Sequence, residues 1–345
     1  MKYAVAMAWL VACSGSHAPA TAADATDAPA DAAFHQSLEL LFASEHSVAI
    51  PSQVAALPFS SEGASGSETG DFSENQINGL AFDPATRLLF VGDDGAGISA
   101  ARVDGSGALE PLDDAAFSDV RAIGGLVLAH GQLYAIYEPT SSSTTTITRI
   151  GYDGSGALSN AASISVPAVP VQLAFADDFA YVVSSSEIDG YAIGSDGALT
   201  PASTLAGSYA SPVSDGAHLF AAGSGSIDTF AIGSDGSLMS TASIEASGID
   251  ALAISPDHTH LYAATDAATL AFALDGSGAL TMIGSVASTG SYLMVAPQGR
   301  FVVRFATEGG ATYELAVGSD GGLAAPIAGP QLGALSGAFA WATTP

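Results

Sequence analysis

Few residues in this chain have the types and spacing that catalysis or metal binding requires. The 345 residues include seven histidines and one cysteine. His258 and His260 are separated by one residue, as metal ligands often are, but the pattern supplies no third ligand at a suitable spacing. There is no Gly-x-Ser-x-Gly turn, phosphate-binding loop or His-Glu-x-x-His motif. We therefore predict no metal site and no cofactor, with the histidine pair left open as an alternative.

Adjacent carboxylates and turn histidines are the other candidates for chemistry. Acidic pairs occur at residues 93–94, 113–114 and 177–178. Neighbouring side chains on a strand point to opposite faces, and acidic pairs in turns are usually solvated, so a catalytic dyad is not favoured. His130, His218, His258 and His260 fall in predicted turns and are interpreted as solvated, whereas His17, His35 and His46 belong to the N-terminal segment.

A short glycine-rich turn recurs six times and predicts the elements that must position these residues. The copies lie at residues 105–109, 154–158, 195–199, 234–238, 276–280 and 319–323, and each ends in leucine. The leucines are 49, 41, 39, 42 and 43 residues apart. Asp-Gly and Gly-Ser-Gly tolerate the positive φ of tight hairpins, and a period near 40 residues is typical of propeller blades. A calcium site is the alternative interpretation, but the pattern lacks the alternating carboxylates that calcium loops use.

Two apolar strands joined by a polar turn precede each glycine-rich turn, so every period supplies four strands. Six blades are predicted, at residues 78–115, 122–165, 170–206, 208–247, 249–288 and 290–329. Three further strands, at residues 38–43, 47–50 and 54–57, and a last one at 337–342 would form a seventh blade. Such a blade joins the chain ends and removes an exposed sheet edge. We predict an all-β, seven-bladed propeller of four-stranded antiparallel blades, with six or eight blades as alternatives. The repeated leucines are predicted to pack between blades, and residues 60–76 to form a loop at one rim.

The N-terminal residues predict export and lipidation. A short apolar run after Lys2 ends in Leu10-Val11-Ala12-Cys13, which matches a lipobox. The run is too short to span a bilayer. Cys13 is the only cysteine, so it cannot form a disulfide within one chain. We predict a signal peptide over 1–12, a lipidated Ala/Pro/Asp tether over 13–35 and the propeller over 36–345, held at the cell envelope, on the outer membrane where the source has one.

The net charge of the chain restricts the classes of partner that it can bind. The formal net charge is −28, from 35 acidic and 7 basic residues, and Lys2 is the only lysine. Phosphate neutralisation requires a basic surface, so nucleic-acid binding is excluded. Direct adsorption to an anionic membrane is disfavoured for the same reason, which leaves the lipid anchor as the only membrane contact. A strongly charged surface is typical of soluble monomers, and a saline habitat is one hypothesis for this composition.

The repeated motifs resemble a known family. The pair Ala-Ile-Ser-Pro-Asp…Leu-Tyr-Ala at 253–263 and Phe-Ala-Leu-Asp-Gly-Ser-Gly-Ala-Leu at 272–280 is similar to motifs of the seven-bladed lactonase propellers. That family includes propeller-type 6-phosphogluconolactonases and carboxymuconate cyclases. The resemblance covers about residues 38–345, and it implies that His and Arg stand just before the innermost strands and line a central funnel.

The positions that the resemblance assigns to the funnel carry other residues. Asn78, Gln172, Asp250 and Tyr292 stand there, with Arg121 near such a position, and none of the four is His or Arg. These four side chains are the predicted ligand-binding candidates, and Asp250 and Arg121 are the candidates for catalysis. We predict a non-catalytic propeller that binds a protein, a glycan or a small molecule. The alternative is an exported hydrolase or cyclase that acts on a neutral lactone or sugar.

Overall fold

The computed structural model describes most of the predicted propeller. The described residues are 39–47, 50–60, 63–64, 73–74, 77–93, 97–112, 123–137, 145–166, 172–184, 186–306, 311–329 and 335–343. The predictions for residues 1–38, including the lipidation of Cys13, and for Arg121 concern positions outside this set.

All regular structure in the described residues is β-strand. In chain order the strands are β1 (Glu39–Ser47), β2 (Ile50–Ser60), β3 (Gly63–Ala64), β4 (Ser73–Glu74), β5 (Ile77–Asp83), β6 (Leu88–Asp93), β7 (Gly97–Val103), β8 (Leu109–Pro111), β9 (Ile123–Ala129), β10 (Gln132–Tyr137), β11 (Thr145–Tyr152), β12 (Leu158–Val166), β13 (Gln172–Ala176), β14 (Phe179–Val183), β15 (Glu187–Ile193), β16 (Leu199–Ala206), β17 (Ala210–Ser214), β18 (His218–Ala222), β19 (Ser226–Ile232), β20 (Leu238–Glu245), β21 (Ile249–Ile254), β22 (His260–Thr265), β23 (Ala268–Leu274), β24 (Leu280–Ala287), β25 (Tyr292–Val295), β26 (Phe301–Phe305), β27 (Thr312–Ala316), β28 (Ile327–Ala328) and β29 (Leu335–Thr343). A search of this part of the chain for apolar helices able to cross a bilayer finds none.

The strands form seven antiparallel blades around one axis, as predicted. Blades 1 to 6 are β5–β8, β9–β12, β13–β16, β17–β20, β21–β24 and β25–β28, and each begins and ends within a few residues of its predicted bounds. The first strand of a blade is the innermost. Strand β5 contacts β9, and β13, β17, β21 and β25 contact one another in succession around the axis.

Blade 7 joins the two ends of the propeller. Its strand order is β29-β1-β2-β3, so the C-terminal strand β29 is innermost and contacts β5 of blade 1. Three N-terminal strands and one C-terminal strand were predicted, and the path β29-β1-β2-β3 has this composition, with the short β4 as a fifth strand paired to β2. The predicted N-terminal bounds were wrong, because Ser47 ends β1 and pairs with Ile50 at the start of β2, and residues 54–57 are the middle of β2. The segment at 60–76 also contains two short strands, β3 and β4, which pair with β2.

The hydrophobic core of the described residues is divided into seven clusters, one in each seam between neighbouring blades. The leucine after each glycine-rich turn packs into the seam with the preceding blade, for example Leu199 between blades 2 and 3. The predicted packing role of these leucines is therefore confirmed.

The glycine-rich turns also hold the blades together. The hydroxyl of Tyr134 in blade 2 donates to the carbonyl of Gly197 in the blade 3 turn at 2.8 Å, and Tyr181 and Tyr262 repeat this contact with the next blades. Burial raises the pKa of Tyr134 to about 12. The turn carboxylates are exposed and brace the turn itself. In the first turn Asp104 accepts from the Ser106 hydroxyl and backbone N–H, which keeps the pKa of Asp104 below its usual value.

The closure of the ring includes one buried carboxylate. Glu39, at the start of β1, accepts from the backbone N–H of Gln298 at 3.1 Å and from the Arg300 guanidinium at 3.3 Å, both in blade 6. We expect Glu39→Ala to lower the free energy of unfolding by about 2–3 kcal/mol, because it removes two hydrogen bonds that involve a charged group. Urea unfolding measures the change. Glu110→Ala, on the exposed strand β8, is the control, and equal effects of the two substitutions would contradict this account.

Candidate ligand-binding funnel

β-Bulges mark the start of several innermost strands. In blade 1, Ile77 pairs with Asp93 and Gly79 with Gly92, so Asn78 is an extra residue in β5. In blade 5, the same shift between Ile249 and Ala251 makes Asp250 the extra residue in β21. A bulge bends the strand and turns a side chain away from the regular ladder. Two of the predicted funnel residues therefore occupy equivalent bulged positions at one end of the axis.

Hydrogen bonds connect three neighbouring blades at this end. The backbone N–H of Ser211 in blade 4 donates to Oε1 of Gln172 in blade 3 at 2.5 Å. The Ser211 hydroxyl donates to the backbone carbonyl of Asp250 in blade 5 at 2.9 Å. Ser211 lies in a further bulge, between Ala210 and Val213, and has a φ of 51°. This conformation costs a residue with a side chain about 1–2 kcal/mol, so the two hydrogen bonds maintain a strained position. We call the end of the axis marked by Asn78, Gln172, Ser211 and Asp250 the funnel mouth.

Asp250 is the ionisable side chain of the funnel mouth. It is only partly buried as a residue, but its Oδ2 atom is shielded from solvent and has no hydrogen-bond partner among the described residues. Burial and the neighbouring carboxylate of Asp266 raise the pKa of Asp250, and Arg304 opposes that rise. Such a carboxyl group holds a proton more readily than a solvated one, as a general base or acid would.

Arg304 lies beside Asp250, and both of its Nη atoms donate to other groups, whereas its Nε has no hydrogen-bond partner among the described residues. Its side chain is completely buried, and its Nη1 and Nη2 donate to the carbonyls of Ala268 and Thr265 at 2.8 and 2.9 Å. It makes no ion pair with a carboxylate in the described residues. Burial lowers its pKa to about 10. This arginine therefore organises the wall between blades 5 and 6, and its guanidinium is not exposed to a ligand.

The other predicted funnel residues differ in exposure. Tyr292 is 4% exposed and its ring packs on Phe339 in the seam between blades 6 and 7, so its ring is part of the wall. Asn78 is partly buried. The strand beside Asn78 is held close to blade 2, since a Cβ atom on Gly79 would lie 2.6 Å from the backbone N of Leu126.

The histidines of blades 2, 4 and 5 lie at the opposite end of the axis. His130 and His258 are in turns between the first and second strands, as predicted, whereas His218 and His260 are the first residues of the second strands β18 and β22. His130 is exposed, but the interpretation as solvated is wrong for His218, which is 9% exposed and bonded through Nδ1 to Asp215 at 3.0 Å. The two ring nitrogens of His260 are hydrogen-bonded, Nε2 to the carbonyl oxygen of Asp320 and Nδ1 to the hydroxyl of Thr259. Within the described ranges, no three His, Cys, Asp or Glu side chains are grouped to hold a metal ion.

Sequence reasoning missed Ser211 and Arg304. Ser211 precedes Pro212 at the head of β17, a funnel position for which no residue was predicted. Arg304 interrupts the apolar run Phe301–Phe305 of β26, and a lone arginine in a buried strand is a signal that can be read from sequence.

Comparison with known proteins gives matches by structure alone. No protein-family model and no curated protein matches the sequence. Among solved structures, a protein from Lactobacillus plantarum matches with a TM-score of 0.72 at 16% identity, over 89% of this chain and 99% of the other. A candidate 6-phosphogluconolactonase from Bacteroides fragilis matches with a TM-score of 0.72 at 15% identity, over 90% and 99%. A candidate 6-phosphogluconolactonase from Bacteroides uniformis matches with a TM-score of 0.71 at 14% identity, over 88% of this chain and 99% of the other.

The chain has the fold of the lactonase-like propellers. The resemblance read from the repeated motifs is thus confirmed for the architecture. At 14–16% identity these likenesses concern the fold and do not assign a chemistry to the funnel mouth.

Proposed function

We propose that this protein is a non-catalytic, ligand-binding lactonase-like propeller, anchored to the cell envelope through lipidated Cys13. One observation carries the binding part. At the funnel mouth the side chains of Gln172 and Ser211 tie three blades together around Asp250, a residue that is partly buried and whose Oδ2 is shielded from solvent. Polar groups held rigidly at the end of a propeller axis favour recognition of a small polar molecule.

The same residues argue against hydrolysis. Acyl transfer needs a base together with donors that stabilise the developing oxyanion. Among the described side chains the only guanidinium beside Asp250 is that of Arg304, which is buried and bonded to carbonyls. The described histidines of blades 2, 4 and 5 lie at the other end of the axis. A phosphorylated sugar lactone is also disfavoured, because a chain of net charge −28 repels anions.

We expect simple neutral lactones, such as glucono-δ-lactone, to be hydrolysed no faster with the protein than in buffer alone. A pH-indicator assay measures the rate, and a panel of neutral sugars in a thermal-shift assay measures binding. Hydrolysis clearly above background would contradict the non-catalytic assignment.

Lactone hydrolysis is the second candidate function, and the unpartnered Oδ2 and raised pKa of Asp250 favour it. In that case Asp250 acts as the general base for water. Asp250→Asn would then reduce kcat by about 10²–10⁴-fold, the usual contribution of such a group. Asp178→Asn, an exposed carboxyl on the opposite rim, is the control.

The anchoring part rests on the lipobox at residues 10–13. We expect Cys13→Ser to abolish labelling by an alkyne fatty acid and to release the protein from the membrane fraction, because the thiol is the atom that accepts the diacylglycerol. One lipid-modified cysteine carries enough acyl chain to hold a soluble domain at a bilayer. Unchanged labelling and fractionation of Cys13→Ser would overturn the anchor.

A further inference from the structure

Two methionine side chains are exposed on the outer wall of the propeller. The chain has five methionines, of which Met239, Met282 and Met294 lie in the described residues. Met239 is 66% exposed and Met282 is 50% exposed, whereas Met294 is 2% exposed. Methionine is one of the residues most often buried in protein cores. The two exposed thioethers therefore need an explanation other than packing.

Both exposed methionines lie on the outermost strands of neighbouring blades, β20 of blade 4 and β24 of blade 5. They follow the repeated leucines Leu238 and Leu280, and these leucines are the residues that pack into the seams. Neither methionine belongs to a core cluster of the described residues. The corresponding positions of β16 hold Thr200 and Pro201, both exposed. Polar side chains are therefore compatible with these positions.

Met294 has the opposite environment. It lies on β25, the innermost strand of blade 6, and packs with Phe305 and Phe339 in the seam between blades 6 and 7. An oxidant dissolved in water reaches its sulfur only when this part of the ring opens, and core strands open rarely. The fold therefore separates two accessible thioethers from a protected one.

We propose that Met239 and Met282 form an oxidation site at which neutral hydroperoxides convert each thioether to methionine sulfoxide. In this step a lone pair of the sulfur attacks one peroxide oxygen, the O–O bond breaks and an S–O bond forms. The sulfur is oxidised, while the second oxygen leaves with the electron pair of the O–O bond, takes up the proton and becomes water or an alcohol. Each methionine consumes one peroxide molecule, so the reaction is stoichiometric.

The charge of the chain and the position of the two strands determine the oxidant class and the consequence. A net charge of −28 repels anions but does not act on an uncharged peroxide. The sulfoxide is polar, and on an outermost strand it faces water, so the fold persists after the reaction. The same change at Met294 would place a polar group among aromatic rings.

Exposure of the full chain to hydrogen peroxide tests the site, with the sulfoxide at each methionine measured over time by peptide mass spectrometry. We expect Met239 and Met282 to react within about threefold of the rate of free N-acetylmethionine amide, and Met294 at least about tenfold more slowly. In concentrated urea all three should react at one rate, because the protection of Met294 comes from the fold. Equal rates in the folded protein, or slow oxidation of both exposed methionines, would overturn the proposal.

Glutamine variants test whether the outer wall tolerates the change, because glutamine is polar and similar in length to the sulfoxide. The double variant Met239→Gln/Met282→Gln and the peroxide-treated wild type should both keep the urea midpoint of the untreated protein. Met294→Gln, the matched control, should lower that midpoint clearly or prevent folding, since its position is buried. A lower midpoint in protein oxidised only at Met239 and Met282 would contradict a site that takes up oxidant without loss of the fold.

Discussion

Replacing Arg304 with leucine should lower the free energy of unfolding by about 3–5 kcal/mol, the usual cost of breaking up a buried charged network. The guanidinium donates to the carbonyls of Ala268, Thr265 and Ser288, which belong to the loop of blade 5 and to its connection with blade 6. Leucine fills much of the volume but offers no donor. The carbonyls would lose this charged donor, and that of Ala268 would keep only the Thr265 hydroxyl, so replacement by an apolar side chain is costly here.

Urea unfolding followed by circular dichroism measures this effect, with Arg102→Leu as the matched control. Arg102 also donates to two backbone carbonyls, of Thr86 and Gly154, but at the surface, where water replaces the lost donor. We expect the control to lose at most about 1 kcal/mol. Equal losses of unfolding free energy in the two variants would show that the burial of Arg304 adds no stability beyond that of a surface arginine.

The second large effect is expected at Gly321, in the last glycine-rich turn. Gly321 has a φ of 77°, and a Cβ atom there would lie 1.9 Å from the ring of His260 in the preceding blade. Gly321→Ala should therefore lower the free energy of unfolding by about 2–4 kcal/mol, since left-handed strain and overpacking add. The thermal midpoint and the urea midpoint both report it.

Gly276→Ala is the control for this substitution. Gly276 lies in the equivalent turn of blade 5, without a positive φ, and a Cβ atom there meets no other atom within 4 Å. We expect its effect to stay within about 0.5 kcal/mol, as for ordinary surface changes. Adding His260→Ala to Gly321→Ala should recover part of the loss, because the steric conflict disappears. A double variant no more stable than Gly321→Ala would place the cost in the backbone alone.

These two predictions also separate what can be predicted from sequence from what cannot. The turn at Gly321 is recognisable because Asp-Gly chemistry acts over four or five adjacent residues. Its packing on His260 is not recognisable, since the two residues are about 60 positions apart and meet only when blade 6 is placed on blade 5. The predicted strands 47–50 and 54–57 failed for a related reason. Their continuity depends on pairing with β1, not on local composition.

The sequence alone determined the repeat, the four-stranded blade, the closure by both chain ends and the packing of the repeated leucines. All of these follow from turn chemistry and apolar alternation within about 40 residues. Tertiary structure alone decided that Ser211 links Gln172 to Asp250, that Arg304 is enclosed by carbonyls, and that His218 is buried. The physical reason is that each funnel contact joins different blades. Gln172 and Asp250 each lie 39 positions from Ser211 in the chain, and only the closed ring brings them within hydrogen-bond distance of it.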